Sequence, residues 1–178
     1  MEPRERRNNI FVCLHGRHTL NNIMARGKIT RHPITPDPVY NNIDISRFIN
    51  QIMRMGKKTI ARKIVYGAFD IMKERTKKEP LEVFDLAMKN AAPLLEVKSK
   101  RIGGANYQVP IEVKGERKVA LATRWIILGA KSKKGKPMAE KLAEELIDAS
   151  NNAGWAIKKK LDTHRMAEAN RAFAHFAW

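Results

Sequence analysis

Val97-Lys98-Ser99-Lys100-Arg101-Ile102-Gly103-Gly104-Ala105-Asn106-Tyr107-Gln108-Val109-Pro110-Ile111-Glu112-Val113 is the stretch that decides the fold. Two strand-like arms, 97–102 and 107–113, flank a turn at Gly103-Gly104-Ala105-Asn106, a hairpin signature. The segments on either side have helical periodicity, and no third strand is evident. A two-stranded hairpin alone is marginal in water. Its first arm carries Lys98, Lys100 and Arg101 with no acid between them. A cationic ribbon that lacks a second wall is completed by a polyanion, so the ribbon points to nucleic acid.

The flanking periodicity predicts six helices. Ile45, Phe48, Ile49, Ile52 and Met53 lie on one face of a first helix over 44–55, with Asp44 as its cap and Gly56 as its stop. Lys57 and Lys58 then form a turn, with Thr59 capping a second helix over about 60–76. That helix carries the stripe Ala61, Ile64, Val65, Ala68 and Met72. Pro80 opens a third helix that ends before Pro93. After the ribbon, at about 96–113, residues 116–131 are apolar nearly all round, which predicts a central buried helix with Arg124 as its interior charge. A basic loop, Lys131 to Lys136, holds Lys133, Lys134 and Lys136. Pro137 opens the fifth helix, striped by Ala139, Leu142, Ala143, Leu146 and Ile147. Gly154 breaks the pattern, and a basic sixth helix spans about 156–175. The fold class is therefore mainly α: a single helical domain over 39–178 with a protruding two-stranded β-hairpin.

Two segments precede that domain. Residues 24–38 form an extended basic arm, because Pro33, Pro36 and Pro38 forbid helix and Arg26, Lys28 and Arg31 are spaced to track phosphates. Residues 1–23 show no sustained period and are expected to be a disordered leader, or sequence upstream of a start at Met24. An organelle-targeting reading is disfavoured by Glu2 and Glu5. Cys13, His15 and His18 do not make a structural zinc site, which takes four ligands.

Lys and Arg number 35 against 18 Asp and Glu, a formal net charge of +17 over 178 residues. Such a chain repels itself unless something neutralises it. The apolar runs fall short of the roughly 20 residues that a membrane span needs, and the opening residues do not read as a secretory signal. One cysteine, Cys13, permits no intrachain disulfide, so the cytoplasm is the default compartment. Four separate elements carry excess cation: the arm, the turn at Lys57-Lys58, the ribbon and the loop 131–136. Few aromatics are interleaved with them, so phosphate and shape contacts on structured nucleic acid are expected rather than base stacking.

No enzyme chemistry is legible. Gly56-Lys57-Lys58-Thr59 fails as a phosphate-binding loop, since Gln51 stands where its first glycine should be. His164 and His175 are three helical turns apart. Glu144 and Glu145 lie on a regular amphipathic helix and are expected on its solvated face. No catalytic residue, metal site or cofactor is predicted.

Several strings resemble one family. They are Asp37-Pro38-Val39-Tyr40, Phe48-Ile49-Asn50, Gly56-Lys57-Lys58, Glu96 to Ser99, Gly103 to Pro110, Leu121-Ala122 with Arg124-Trp125, and Arg165 to His175. Together they resemble ribosomal small-subunit protein seven of the bacterial or organellar type, from Met24 to Trp178. The resemblance implies a structural, non-enzymatic protein that binds the 3′ major domain of small-subunit rRNA and helps nucleate the subunit head. It implies rRNA contacts at Arg26, Lys28, Arg31, Lys57, Lys58, Lys98, Lys100, Arg101, Arg117 and Lys118, beside the loop cations Lys133, Lys134 and Lys136. It places the hairpin tip, Gly103, Gly104, Ala105, Asn106 and Tyr107, at the exit (E) site near tRNA and mRNA. Its implied protein neighbours are small-subunit protein eleven and other head proteins, and its implied location is the cytoplasmic ribosome ahead of an organellar one. Ala177, where a basic residue is common, and Pro137 depart from the pattern, and residues before Met24 have no counterpart. The alternative is a free-standing nucleic-acid-binding regulator, such as a repressor of its own operon's translation. An RNA-modifying enzyme would need a catalytic constellation that the sequence does not show.

Overall fold

Asn42 starts the first helix: its Oδ1 accepts the Asp44 N–H at 2.8 Å, which satisfies an otherwise orphaned donor. Helix α1 therefore spans Ile43–Ile52, and Asp44, the expected cap, lies inside it and pairs with Arg47 at 3.3 Å. The computed structural model describes residues 33–177. The stretch 1–32, with Arg26, Lys28 and Arg31, and Trp178 lie outside the described residues. The compact unit within the described residues begins at Ile34.

The other elements follow in order: α2 Lys58–Thr76, α3 Pro80–Ala91, β1 Leu95–Ile102, β2 Ala105–Glu112, α4 Gly115–Ser132, α5 Met138–Ser150 and α6 Gly154–Ala169. A short 3-10 helix, Arg171–Phe176, ends the described chain. Among the described residues the fold is thus mainly α, with six α-helices and one two-stranded antiparallel hairpin.

Several boundaries differ from expectation. Helix α1 stops at Ile52, and the chain turns through Met55 and Gly56, both at positive φ. Helix α2 starts two residues early, so Thr59 is within it and Lys57 is the cap. The last segment is not one helix to 175. Asn170 donates its side-chain amide to the Met166 carbonyl at 2.7 Å, a local bond that competes with helix continuation. The chain then tightens into the 3-10 helix.

The core is built on three phenylalanines. Phe48 and Phe84 meet edge to face at 5.3 Å between centroids, and Phe69 lies 5.8 Å from Phe84. Val65, Met72, Ile126, Leu142 and Leu146 close around them, all fully buried. The hub is α5, which packs on α2, α3, α4 and α6. Helix α4 is central, as its composition implies, and packs on α1, α3, α5 and α6. It buries Leu121, Ala122, Trp125, Ile126, Ile127 and Ala130, but Arg124 and Leu128, four apart, lie on an exposed strip. That edge is where Arg124 finds solvent.

Asp37 ties the entry of the unit to α2. It is buried, its carboxylate receives the Tyr66 hydroxyl at 2.9 Å, and it accepts the N–H groups of Val39 and Tyr40. Burial and the bond to Asp37 hold the Tyr66 phenol above its ordinary pKa.

Candidate nucleic-acid interface

The ribbon turns on two residues, Gly103 and Gly104, at φ +56° and +91°. Two successive positive-φ positions match the right-handed twist of paired strands, and glycine takes them without strain. Ala105 and Asn106, expected in the turn, instead begin β2 opposite Ile102 and Arg101. Register then sorts the ribbon's side chains. Lys98 pairs with Val109 and Lys100 with Tyr107, so these four share one face. Arg101, opposite Asn106, is on the other face.

The ribbon is not without a second wall. Val109 is fully buried, and the Tyr107 ring sits 5.2 Å from Phe173 and 5.6 Å from Phe176. Lys100 donates to the Phe176 carbonyl at 3.0 Å. At the root of the ribbon, the Leu94 N–H donates to His164 Nε2 at 3.0 Å. Burial, then the Lys160 charge, push the His164 pKa below its ordinary value.

The predicted cations fall into distinct environments. Lys57 and Lys58 crown the α2 N-terminus, which has no side-chain cap and no acid in its first turn. Positive residues at the positive end of a helix dipole are unfavourable until an anion arrives. Arg117 Nε and Lys98 Nζ both reach Glu96, at 3.1 and 3.5 Å, yet each side chain is about half exposed. Two cations on one carboxylate leave net positive charge facing solvent. Lys118 is half-buried beside Asp44, Asp85 and Lys89, around a cavity of about 410 Å³. Arg101 and Lys134 are exposed. Lys136 pairs with Glu144, and Lys133 pairs with Asp148 at 2.8 Å and with Glu145 at 3.3 Å.

The tip residues Gly103, Gly104, Ala105 and Asn106 are exposed, whereas Tyr107 is half-buried in its aromatic cluster. Glu145 is fully buried, not on a solvated face. Its Oε1 accepts the Ala156 N–H at 3.0 Å at the start of α6.

Some residues at this surface escape a reading of charge runs. Lys114, exposed at the cap of α4, adds a cation beside Arg117. Glu96 shares the Lys98 face by strand alternation, a signal available in the sequence but masked by its neutral neighbours. Lys160 turns inward from the Lys158–Lys160 run to donate to the Asn90 carbonyl at 2.7 Å. Among the described residues no cluster of His, Cys, Asp and Glu could hold a metal ion, and no helix is long and apolar enough to cross a membrane. Cys13, His15 and His18 are outside the described residues.

A family model described as ribosomal protein S7p/S5e matches residues 24–171. The chain belongs to this family. Small ribosomal subunit protein uS7 of Thermotoga neapolitana is 61% identical over 155 residues, 87% of this chain and 100% of that relative. The counterpart from Thermosipho africanus is 58% identical over the same share. That of Desulforamulus reducens is 55% identical over 153 residues, covering 86% of this chain and 98% of its own. The S7p/S5e match spans the ribbon, the uncapped α2 N-terminus and the α4–α5 loop.

Proposed function

We propose that this member of the S7p/S5e family is a structural, non-enzymatic rRNA-binding protein of the small ribosomal subunit. It binds the 3′ major domain of small-subunit rRNA and helps nucleate the head. Its ribbon tip, Gly103 to Asn106, is placed at the E site beside tRNA and mRNA, with small-subunit protein eleven as a neighbour, in the cytoplasmic ribosome.

The observation that carries this reading is the α2 N-terminus. Lys57 and Lys58 sit at the positive end of the helix, with no acid in its first turn and no side-chain cap. Phosphate answers both the helix dipole and the lysine charges. Exposed Arg101, Lys134 and Lys114, and half-exposed Lys98 and Arg117, extend the positive surface to the ribbon and the α4 end. The arm cations Arg26, Lys28 and Arg31 belong to the same proposed surface.

The test is binding of the purified full chain to an in vitro transcript of the 3′ major domain across a salt series. A steep fall of affinity with salt is expected, because each neutralised phosphate releases counterions. Replacing Lys57 and Lys58 by Ala should lower the slope by about two. A flat response, or equal affinity for unrelated duplex DNA, overturns the reading.

A further inference from the structure

The α4–α5 loop is stapled at both ends onto α5. Lys133, just past α4, reaches Asp148 Oδ2 at 2.8 Å and Glu145 Oε2 at 3.3 Å. Lys136, just before α5, pairs with Glu144, which also receives Arg75 at 3.4 Å. Between the two staples, Gly135 takes φ +83°, and Lys134 is exposed without an acidic partner among the described residues.

The Lys133 staple is anchored deep in the fold. Glu145 is fully buried, and its Oε1 accepts the Ala156 N–H that opens α6. Two glycines make room for the carboxylate. A methyl at Gly129 would lie 2.6 Å from Oε1, and one at Gly154, which takes φ +89°, would lie 3.1 Å away. Oε2 has no hydrogen-bond partner among the described residues, so the Lys133 charge is what compensates it. Three helices and the loop thus converge on one carboxylate. Burial opposes the Lys133 ammonium, but Asp148 and Glu145 outweigh it and hold its pKa above the ordinary lysine value.

We propose that Lys133 is a positioning residue rather than a phosphate contact: anchored on Glu145 and Asp148, it fixes the loop so that Lys134 meets the RNA. This rests on the rRNA-binding reading above and divides its loop cations into one contact and one strut.

Additivity separates the two roles, because a strut acts only through Lys134 whereas a phosphate contact acts beside it. Binding is measured with the 3′ major domain transcript. Lys134→Ala should lower the slope by about one. Lys133→Met alone strands a buried carboxylate, so it is paired with Glu145→Gln, which removes both charges together. The double variant should bind roughly threefold to tenfold more weakly, and in a Lys134→Ala background it should cost little more, because the strut acts only through Lys134. A loss that adds in full to that of Lys134→Ala, or unchanged affinity, overturns the proposal. If circular dichroism shows lost helix in the double variant, Asp148→Asn decides by sign. A strut loses its holder and binding weakens, whereas a phosphate contact loses a competitor and binding tightens and steepens. A wild-type chain that ignores the transcript overturns the parent reading and this one together.

Discussion

Tyr107 of the ribbon packs against Phe176 of the 3-10 helix at 5.6 Å between ring centroids, and Lys100, across the strand pair from Tyr107, donates to the Phe176 carbonyl. One residue of the last helix thus holds both strands. The wall that the ribbon needs is therefore supplied within the chain, by packing and a hydrogen bond to a backbone acceptor.

Phe176→Ala should loosen the ribbon without unfolding the helices. An aromatic pair adds about 0.5–1.5 kcal/mol beyond its area burial. Amide exchange over residues 97–109 should accelerate severalfold while the melting of the helical core changes little. Phe176→Leu should recover most of the protection, since packing rather than stacking is required. Unchanged exchange in the alanine variant would show that the contact does not hold the ribbon.

His164 makes stability depend on pH at the root of the ribbon. Its Nε2 accepts the Leu94 N–H, which requires the unprotonated nitrogen. Its folded pKa is lowered, by burial and then by Lys160. The unfolded chain therefore binds a proton that the folded chain resists. The contribution is complete above the unfolded value of about 6.5 and declines as pH falls below it. Urea denaturation at pH 7.5 and 5.5 should show wild type losing more stability than His164→Gln, which keeps an acceptor that does not titrate there. Equal losses would remove His164 from the account.

The helical frame was legible in the sequence because its stripes are strong. Phe48, Met72, Leu142 and Leu146 all fall where periodicity puts them, and all are buried. Helix ends were less so: Asn42 outcompeted Asp44 as cap through a bond of its side chain, and Asn170 ended α6 by a bond to Met166. Polar residues with long-range partners were the least legible. Glu145 reads as a solvated face because one-residue steps on a helix say nothing of what packs there, and its burial depends on Gly129 and Gly154 from two other helices. The hairpin is plain from the Gly103-Gly104 turn and its flanking arms, but the ribbon's second wall lies 66 residues beyond Tyr107 at Phe173, where no local pattern could show it.

Asp37 should matter more to stability than its place among prolines suggests. It is buried and accepts from Tyr66, Val39 and Tyr40. Asp37→Ala leaves the Tyr66 hydroxyl and two backbone donors without their acceptor, at a cost of about 1–3 kcal/mol. Chemical denaturation should show that loss, with Tyr66→Phe losing less because it leaves the turn bonds at Val39 and Tyr40 intact. Equal losses in the two variants would mean that the turn bonds contribute nothing.

Glu96 is the acid that moderates the interface. It holds Arg117 at 3.1 Å and Lys98 at 3.5 Å, and both cations remain about half exposed. Exposed pairs of this kind contribute about 0–1 kcal/mol, so Glu96→Gln should leave folding stability nearly unchanged. Its effect on RNA should be larger. Without the carboxylate, both cations are available to phosphate and one local negative charge is gone. Affinity for the 3′ major domain transcript should rise several-fold at low salt, with a steeper slope, and the gain should shrink as salt screens it. The same substitution in an Arg117→Ala, Lys98→Ala background should give little of that gain, because the released side chains are absent. A gain that survives there would trace to the long-range field of the lost carboxylate instead of to the two cations it holds.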